Sequence, residues 1–237
     1  MAEIAHAPIT LTAFDWVPPF ARGQVRDLRV RWALEEVGQD YAVRYHARGQ
    51  QKQADHLALQ PFGQLPTYEE GDLVLFESGA IVWHVAERFP GLLPDDPGGR
   101  ARALAWLLAA LNTVEPPIMD YAITTMFEAA EPWSKQRRPL VEARIRLRLE
   151  AAAGRLGDGE WFAGPSFTAG DLMMVAVLRL LDGTALLGSF PTLAAYVARG
   201  TARPAFTRAL AAHMAGFTGE PPAGRKSPPK TPTQQGE

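Results

Sequence analysis

The sequence predicts an α/β domain over residues 1–90, a linker over 91–99, an all-α helical bundle over 100–217 and a disordered Pro-rich tail over 218–237. Three observations support this division. Strand-like alternation of apolar and polar residues occurs only before residue 90. Pro90 to Gly99 is rich in Pro, Gly and Asp, the composition of a linker. Beyond it only the 3–4 spacing of amphipathic helices remains. With 237 residues and 47% hydrophobic content, the chain can fill the cores of two compact domains.

Residues 9–14, Ile-Thr-Leu-Thr-Ala-Phe, alternate as a strand does, and a helix over roughly 22–37 follows and stops at Gly38. Tyr41, Val43 and Tyr45 alternate as a second strand. A Gln-rich stretch then leads to a short helical patch at 54–59. Leu65–Tyr68 and Leu73–Phe76 flank Glu69-Glu70-Gly71-Asp72 and read as a β-hairpin. Residues 80–89 are helical through Ile81, Val85 and Phe89. The resulting βαβαββα order is that of a thioredoxin-like domain.

The first helix carries one apolar stripe of Val25, Leu28 and Trp32 and a second of Val30, Ala33, Leu34 and Val37. A helix apolar on two sides lies between its own sheet and a second domain. That domain contributes helices near 100–113, 118–127, 139–156, 171–181 and 193–198. In the third of these Val141, Ile145, Leu149, Ala152 and Leu156 form a core-facing stripe. From Thr218 onward five prolines and a single apolar residue, Ala223, occupy twenty positions, too little apolar surface to order the segment.

The 24 Lys+Arg balance 26 Asp+Glu to a net charge of −2, so no global basic field recruits nucleic acid or an anionic membrane. The run from Lys135 to Arg155, with seven cations and two anions, reads as a solvated helix face. No apolar stretch approaches the ~18 residues of a membrane span, and the first residues lack a basic region followed by an apolar run, so the expected location is cytoplasmic. The five histidines are far apart and form no metal motif. With no cysteine, a disulfide framework, a thiolate metal site and a protein thiol nucleophile are all excluded.

Two segments carry the chemistry. In Pro61-Phe62-Gly63-Gln64-Leu65-Pro66 the second proline opens a strand and is a candidate for the cis isomer, which would face the N–H and C=O of Leu65 outward to a peptide-like ligand. Glu77-Ser78 opens the next helix, where a hydroxyl and free N–H groups suit a carboxylate and Glu77 suits an ammonium. Together they fit an amino-acid zwitterion. Taken singly, Ser78 reads as a helix cap and Pro66 as a turn former. Thr168 and Asp171 are spaced as the two halves of a capping box, a structural role.

In order and spacing these residues resemble the glutathione S-transferase family over roughly 9–215. The resemblance includes Arg29-Val30-Arg31-Trp32-Ala33-Leu34-Glu35-Glu36-Val37-Gly38, Glu77-Ser78-Gly79-Ala80-Ile81 and Thr168-Ala169-Gly170-Asp171. It implies the two-domain fold of that family and glutathione as co-substrate, without a metal. By the same resemblance Gln64, Leu65, Pro66, Glu77 and Ser78 hold the γ-glutamyl and cysteinyl parts, Lys52 is a candidate for the glycyl carboxylate, and the protein is a homodimer.

The sequence departs from that family at the reacting centre. A free thiol with a pKa near ~8.5 is mostly protonated at neutral pH, and family members usually favour the anion with a Tyr, Ser or Cys after the first strand. Ala13 through Asp40 contains none of these, nor a Thr. The donors that remain are Trp16, Arg22, Gln24 and Arg26, of which Arg22 is expected first and Gln24 second, acting with backbone N–H groups. Arg26 falls in the apolar arc of the helix, where a pair with a buried carboxylate is the simpler reading.

A small hydrophobic electrophile should bind between the domains. Trp16, Phe20, Asn112, Glu115, Met119, Tyr121, Met126 and Phe127 are candidates to line that pocket, because Pro116-Pro117 should interrupt a long helix there. Three functions stay open: conjugation of glutathione to such electrophiles, a non-catalytic binding or scaffold role, and a specialised glutathione-dependent isomerase or ether-cleaving activity.

Overall fold

A computed structural model of the protein describes residues 7–222; the Pro-rich segment beyond Pro222 lies outside the described residues. Strands β1 (Ile9–Phe14), β2 (Ala42–His46), β3 (Thr67–Glu70) and β4 (Leu73–Phe76) form one sheet in the order β2-β1-β3-β4. β1 pairs parallel with β2 and antiparallel with β3, and β3–β4 is a hairpin. β1 is central, and Ile9, Leu11 and Ala13 are buried along it. Thr12 is buried too: its Oγ1 lies 2.9 Å from Thr67 Oγ1 and accepts the Thr67 N–H at 2.7 Å, which fixes the start of β3 against β1.

Helices α1 (Asp27–Val37), α2 (Ala54–Leu59) and α3 (Ser78–Arg88) complete the first domain. The helical domain comprises α4 (Pro97–Ala109), α5 (Glu115–Ala122), α6 (Pro132–Leu156), α7 (Ala169–Leu178), α8 (Ala185–Gly188), α9 (Pro191–Thr201) and α10 (Pro204–Ala215). No helix among the described residues is long and apolar enough to cross a membrane.

Several elements differ from the sequence-based expectation, each for a local reason. α1 begins at Asp27 rather than near 22, because Gly23 adopts a left-handed φ of 77° that no helix accommodates. α4 begins inside the expected linker, where Asp96 accepts the Gly99 N–H and Pro97 occupies the first turn. α6 begins at Pro132 and carries Pro139 inside it, so Pro139 does not open the helix. The interruption expected at Pro116-Pro117 takes the form of a π-helical segment over Ala110–Val114, after which both prolines sit in the first turn of α5. Widening the turn relieves the clash between a proline ring and the carbonyl four residues back. A second π segment spans Ile123–Phe127. The segment expected to be disordered from Thr218 begins ordered, since the Gly219 N–H donates to Asp15 O at 2.9 Å.

α1 is buried on both sides. Leu28, Val30, Ala33 and Leu34 join the core, and Trp32 packs its ring against Phe167 and Phe206 of the helical domain at 5.6 and 4.9 Å. α7 is buried almost throughout. Its Gly170 lets it approach α4 so closely that a Cβ there would meet Ala103 O at 2.6 Å. Thr168 accepts the Asp171 N–H while Asp171 accepts the Thr168 N–H, Thr168 Oγ1, Phe162 N–H and Tyr196 Oη, so one carboxylate ties the start of α7 to two other segments. Burial nonetheless pushes the Asp171 carboxyl above its ordinary value, against the pull of these donors.

Candidate functional site

The Leu65–Pro66 peptide is cis. The Leu65 N–H and C=O have no hydrogen-bond partner among the described residues, so the segment leading into β3 has a free donor and a free acceptor of the kind an extended ligand can pair with. The turn before it is held from below. The Gln60 side-chain oxygen accepts the Phe62 and Gln64 N–H groups at 2.6 and 3.3 Å, and His56 Nε2 bonds Gln64 O at 2.8 Å. Gln60 and His56 were not singled out by sequence reasoning, because a side chain bonded to a turn backbone leaves no periodic signature.

Glu77 is the one non-glycine among the described residues with positive φ, 69°, a conformation that costs about 1–3 kcal/mol and persists where surrounding structure imposes it. It brings Ser78 to the first position of α3. Neither the Ser78 hydroxyl nor the Glu77 carboxylate has a hydrogen-bond partner among the described residues. Both line a small cavity with Arg26, Gln60, Gln64, Leu65 and Pro66. Lys52 is exposed, with Nζ 3.4 Å from Phe62 O beside the same turn.

This cavity shares Arg26, Gln64 and Leu65 with a larger cleft of about 690 Å³ between the domains. Phe14, Phe20, Gln24 and Val25 form its wall on the sheet side; Ile118, Met119, Tyr121, Met126 and Phe127 form the opposite wall, with Leu180, Asp182 and Thr184 also lining it. The Phe20 and Phe127 rings meet edge to face at 5.7 Å, so the two domains touch through aromatic side chains. Arg138 reaches the outer edge of this region, its guanidinium 5.6 Å from the Tyr121 ring centroid and Nη2 3.4 Å from Tyr121 Oη.

Glu115 is buried and bonded by Arg29 at 2.9 Å and Arg26 at 3.0 Å. Burial pushes its carboxyl upward, but the two guanidiniums outweigh that and hold it below the ordinary carboxylate range. The carboxylate that pairs Arg26 thus comes from the other domain, which no spacing in the sequence encodes. Glu115 lines the cleft but is committed to this pair.

Three expected residues lie elsewhere. Arg22 does not line the cleft: its guanidinium sits 5.6 Å from the Phe217 ring centroid, and its Nε is buried without a partner, because Gly23 turns the chain before α1 begins. Trp16 is half-buried and also absent from the cleft lining. Asn112 is exposed and faces a separate groove with Thr113, Pro116 and Arg144. Gln24 does line the cleft, and the N–H groups of Val25 and Arg26 beside it have no acceptor among the described residues. No group of three or more His, Asp or Glu is placed to hold a metal ion among the described residues.

A thioredoxin-like sheet domain with unpaired backbone groups at Leu65, facing a helical domain across an apolar cleft, defines a two-domain class of protein. The family described as "Glutathione S-transferase, N-terminal domain" matches residues 11–87, and that described as "Glutathione S-transferase, C-terminal domain" matches 114–204. Glutathione S-transferase 4 of Zea mays is 32% identical over 189 residues, 75% of this chain and 83% of that protein. Among solved structures, glutathione transferase F7 from Populus trichocarpa superposes with a TM-score of 0.75 at 24% identity, covering 87% of this chain and 99% of that one. A glutathione transferase family member from Pseudomonas fluorescens, solved with two glutathione bound, gives 0.74 at 22% identity, covering 86% and 92%. The chain belongs to the glutathione S-transferase family, whose fold it has.

Proposed function

We propose that the protein conjugates the glutathione thiolate to small hydrophobic electrophiles in the interdomain cleft. The observation that carries this reading is the continuity of the unpaired Leu65 backbone groups with an apolar cleft lined by Val25 and Arg26, whose N–H groups have no acceptor among the described residues. In this reading Leu65 pairs with the cysteinyl backbone, and Ser78 with the α3 N-terminus receives the γ-glutamyl carboxylate. Glu77 takes the ammonium, Gln64 and Pro66 shape the edge, and Lys52 is within reach of the glycyl carboxylate.

The sulfur then falls at the start of α1. There the two amides, the Gln24 side chain and the Arg26 guanidinium supply the positive potential that a hydroxyl donor gives elsewhere in the family, and lower the thiol pKa. The thiol proton leaves to solvent. The thiolate forms a C–S bond to the electrophilic carbon, and the leaving group departs with its electron pair or the acceptor double bond takes up a proton. Met119, Tyr121, Phe20 and Phe127 present the electrophile. Arg22 is outside this constellation, and the reading passes to Gln24, which was expected second.

We also propose a homodimer in the cytoplasm. Phe62, at 63% exposure, with Leu108, Leu140 and Leu147, leaves apolar surface for a second copy, which sedimentation velocity tests. Calorimetry with glutathione, followed by a conjugation assay on a generic aromatic halide, tests the activity. Saturable conjugation is expected. Binding without turnover on any electrophile would replace this reading with the scaffold one.

A further inference from the structure

Both backbone polar groups of Gly23, in the two peptides that flank it, are held by the helical domain. The Gly23 N–H donates to His213 Nε2 at 3.3 Å, and its carbonyl accepts from Arg179 Nη1 at 3.2 Å. The His213 ring is buried, 1% exposed, and stacks edge to face on Phe217 at 4.8 Å. Because Nε2 accepts an amide proton, the ring proton sits on Nδ1, 3.0 Å from Asp27 Oδ2. Asp27 in turn accepts Arg31 Nε at 2.8 Å, which balances its buried charge. A neutral imidazole of fixed tautomer is thus locked between a carboxylate of α1 and the backbone just before α1.

What it locks is the turn that feeds the cleft. Gln24, Val25 and Arg26 follow Gly23 directly and line the cleft, and the Val25 and Arg26 amides are unpaired. His213 itself does not line the cleft. A glycine with left-handed φ and few side-chain contacts is the kind of backbone that wanders unless both its polar groups are held.

We propose that His213 is a positioning residue for the thiolate: through its Nε2 it holds the Gly23 peptide so that the Val25 and Arg26 amides converge on the sulfur of bound glutathione. The inference rests on the thiolate reading given above. Arg179 holds the carbonyl of the next peptide, so two side chains of the helical domain set the geometry of an anion site built from the sheet domain.

Two substitutions separate this role from simple packing. His213→Asn keeps a donor toward Asp27 but withdraws the acceptor from Gly23, whereas His213→Gln reaches Gly23 with its amide oxygen. The readouts are the thiolate absorbance of bound glutathione against pH, kcat and KM for conjugation, and amide exchange over residues 23–26 in the ligand-free protein. In His213→Asn the pKa of the bound thiol should rise by about one unit, with kcat at neutral pH down about tenfold and the glutathione KM within about twofold. The Gly23 and Gln24 amides, the two in this turn that are hydrogen-bonded, should exchange at least about tenfold faster. His213→Gln should recover most of each loss. If His213→Asn fails to fold, Arg179→Met, which frees the Gly23 carbonyl, should raise the thiol pKa in the same direction.

Unchanged thiol titration and unchanged exchange in His213→Asn overturn the inference, as do equal losses in the Asn and Gln variants. Failure of the parent reading looks different: the wild-type protein itself would then leave bound glutathione with its solution titration. That result would remove the thiolate site and His213's part in it together.

Discussion

Ser78 is a buried residue whose hydroxyl has no protein partner and which lines a cavity with Leu65, an arrangement that a carboxylate ligand would complete. Ser78→Ala should therefore raise the glutathione Kd about tenfold by calorimetry, the worth of one hydrogen bond to a charged group. The melting temperature should hardly move, since nothing in the protein uses the hydroxyl. Gln24 and Arg22, two residues apart, should behave oppositely. Gln24→Ala removes a cleft-lining amide beside the unpaired N–H groups and should slow conjugation about tenfold. Arg22→Ala removes the Phe217 contact, away from the cleft lining, and should leave kcat/KM within about twofold. The reverse order in a steady-state comparison would return the thiolate to Arg22. Nothing in the local sequence distinguishes the two, because the direction of each side chain depends on a left-handed Gly23 bonded to partners over 150 positions away.

Between elements the strongest tie at the cleft is Glu115 of α5 with Arg29 and Arg26 at the start of α1. Removing one partner from a buried pair leaves an uncompensated charge, so Glu115→Ala should cost about 3–5 kcal/mol in urea unfolding. The folded carboxyl lies below its ordinary value of 4.5, so its contribution is fully present above that pH and is lost as pH falls through the lower folded value. The wild-type melting temperature should accordingly fall more steeply below about pH 4.5 than that of Glu115→Gln; parallel acid limbs would contradict the pairing. At this scale the sequence was legible wherever a period decides the structure. β1 and α2 occupy the residues that alternation and helical spacing indicate. α10 was not read at all. Its buried face is Ala205, Phe206, Ala209 and His213, and a histidine counts as an inward residue only once Asp27 is known to meet it. The cis-proline edge and the Glu77-Ser78 turn were legible because both are local. Gln60, His56 and Asp182 were not, because their roles come from where the folded chain returns.

For the molecule as a whole, α1 belongs to both domains at once. Its sheet-facing residues fill the first core, while Trp32 packs on Phe167 and Phe206, Glu36 bonds Arg203 at 2.6 and 2.7 Å, Glu35 bonds Arg208 at 2.7 Å, and Asp27 bonds His213. Separating the domains would expose a tryptophan that is fully buried and strip partners from Glu35 and Glu36 together with the buried Arg29 and Asp27. Losing the tryptophan's burial alone is worth about 3–5 kcal/mol, comparable with the whole stability of a small domain. A fragment spanning residues 7–92 should therefore lack a cooperative thermal transition and give a poorly dispersed amide NMR spectrum, despite holding all four strands. A dispersed spectrum with a sharp melt would mean that the sheet domain folds without its partner. The clamp on Gly23 would then be a late addition to a finished domain, and the thiolate amides would be set without help from α7 and α10. Failure of the fragment to fold, with the full chain melting in one step, would make the anion site a property of the joined domains, since the same contacts that close the core also fix the turn before α1.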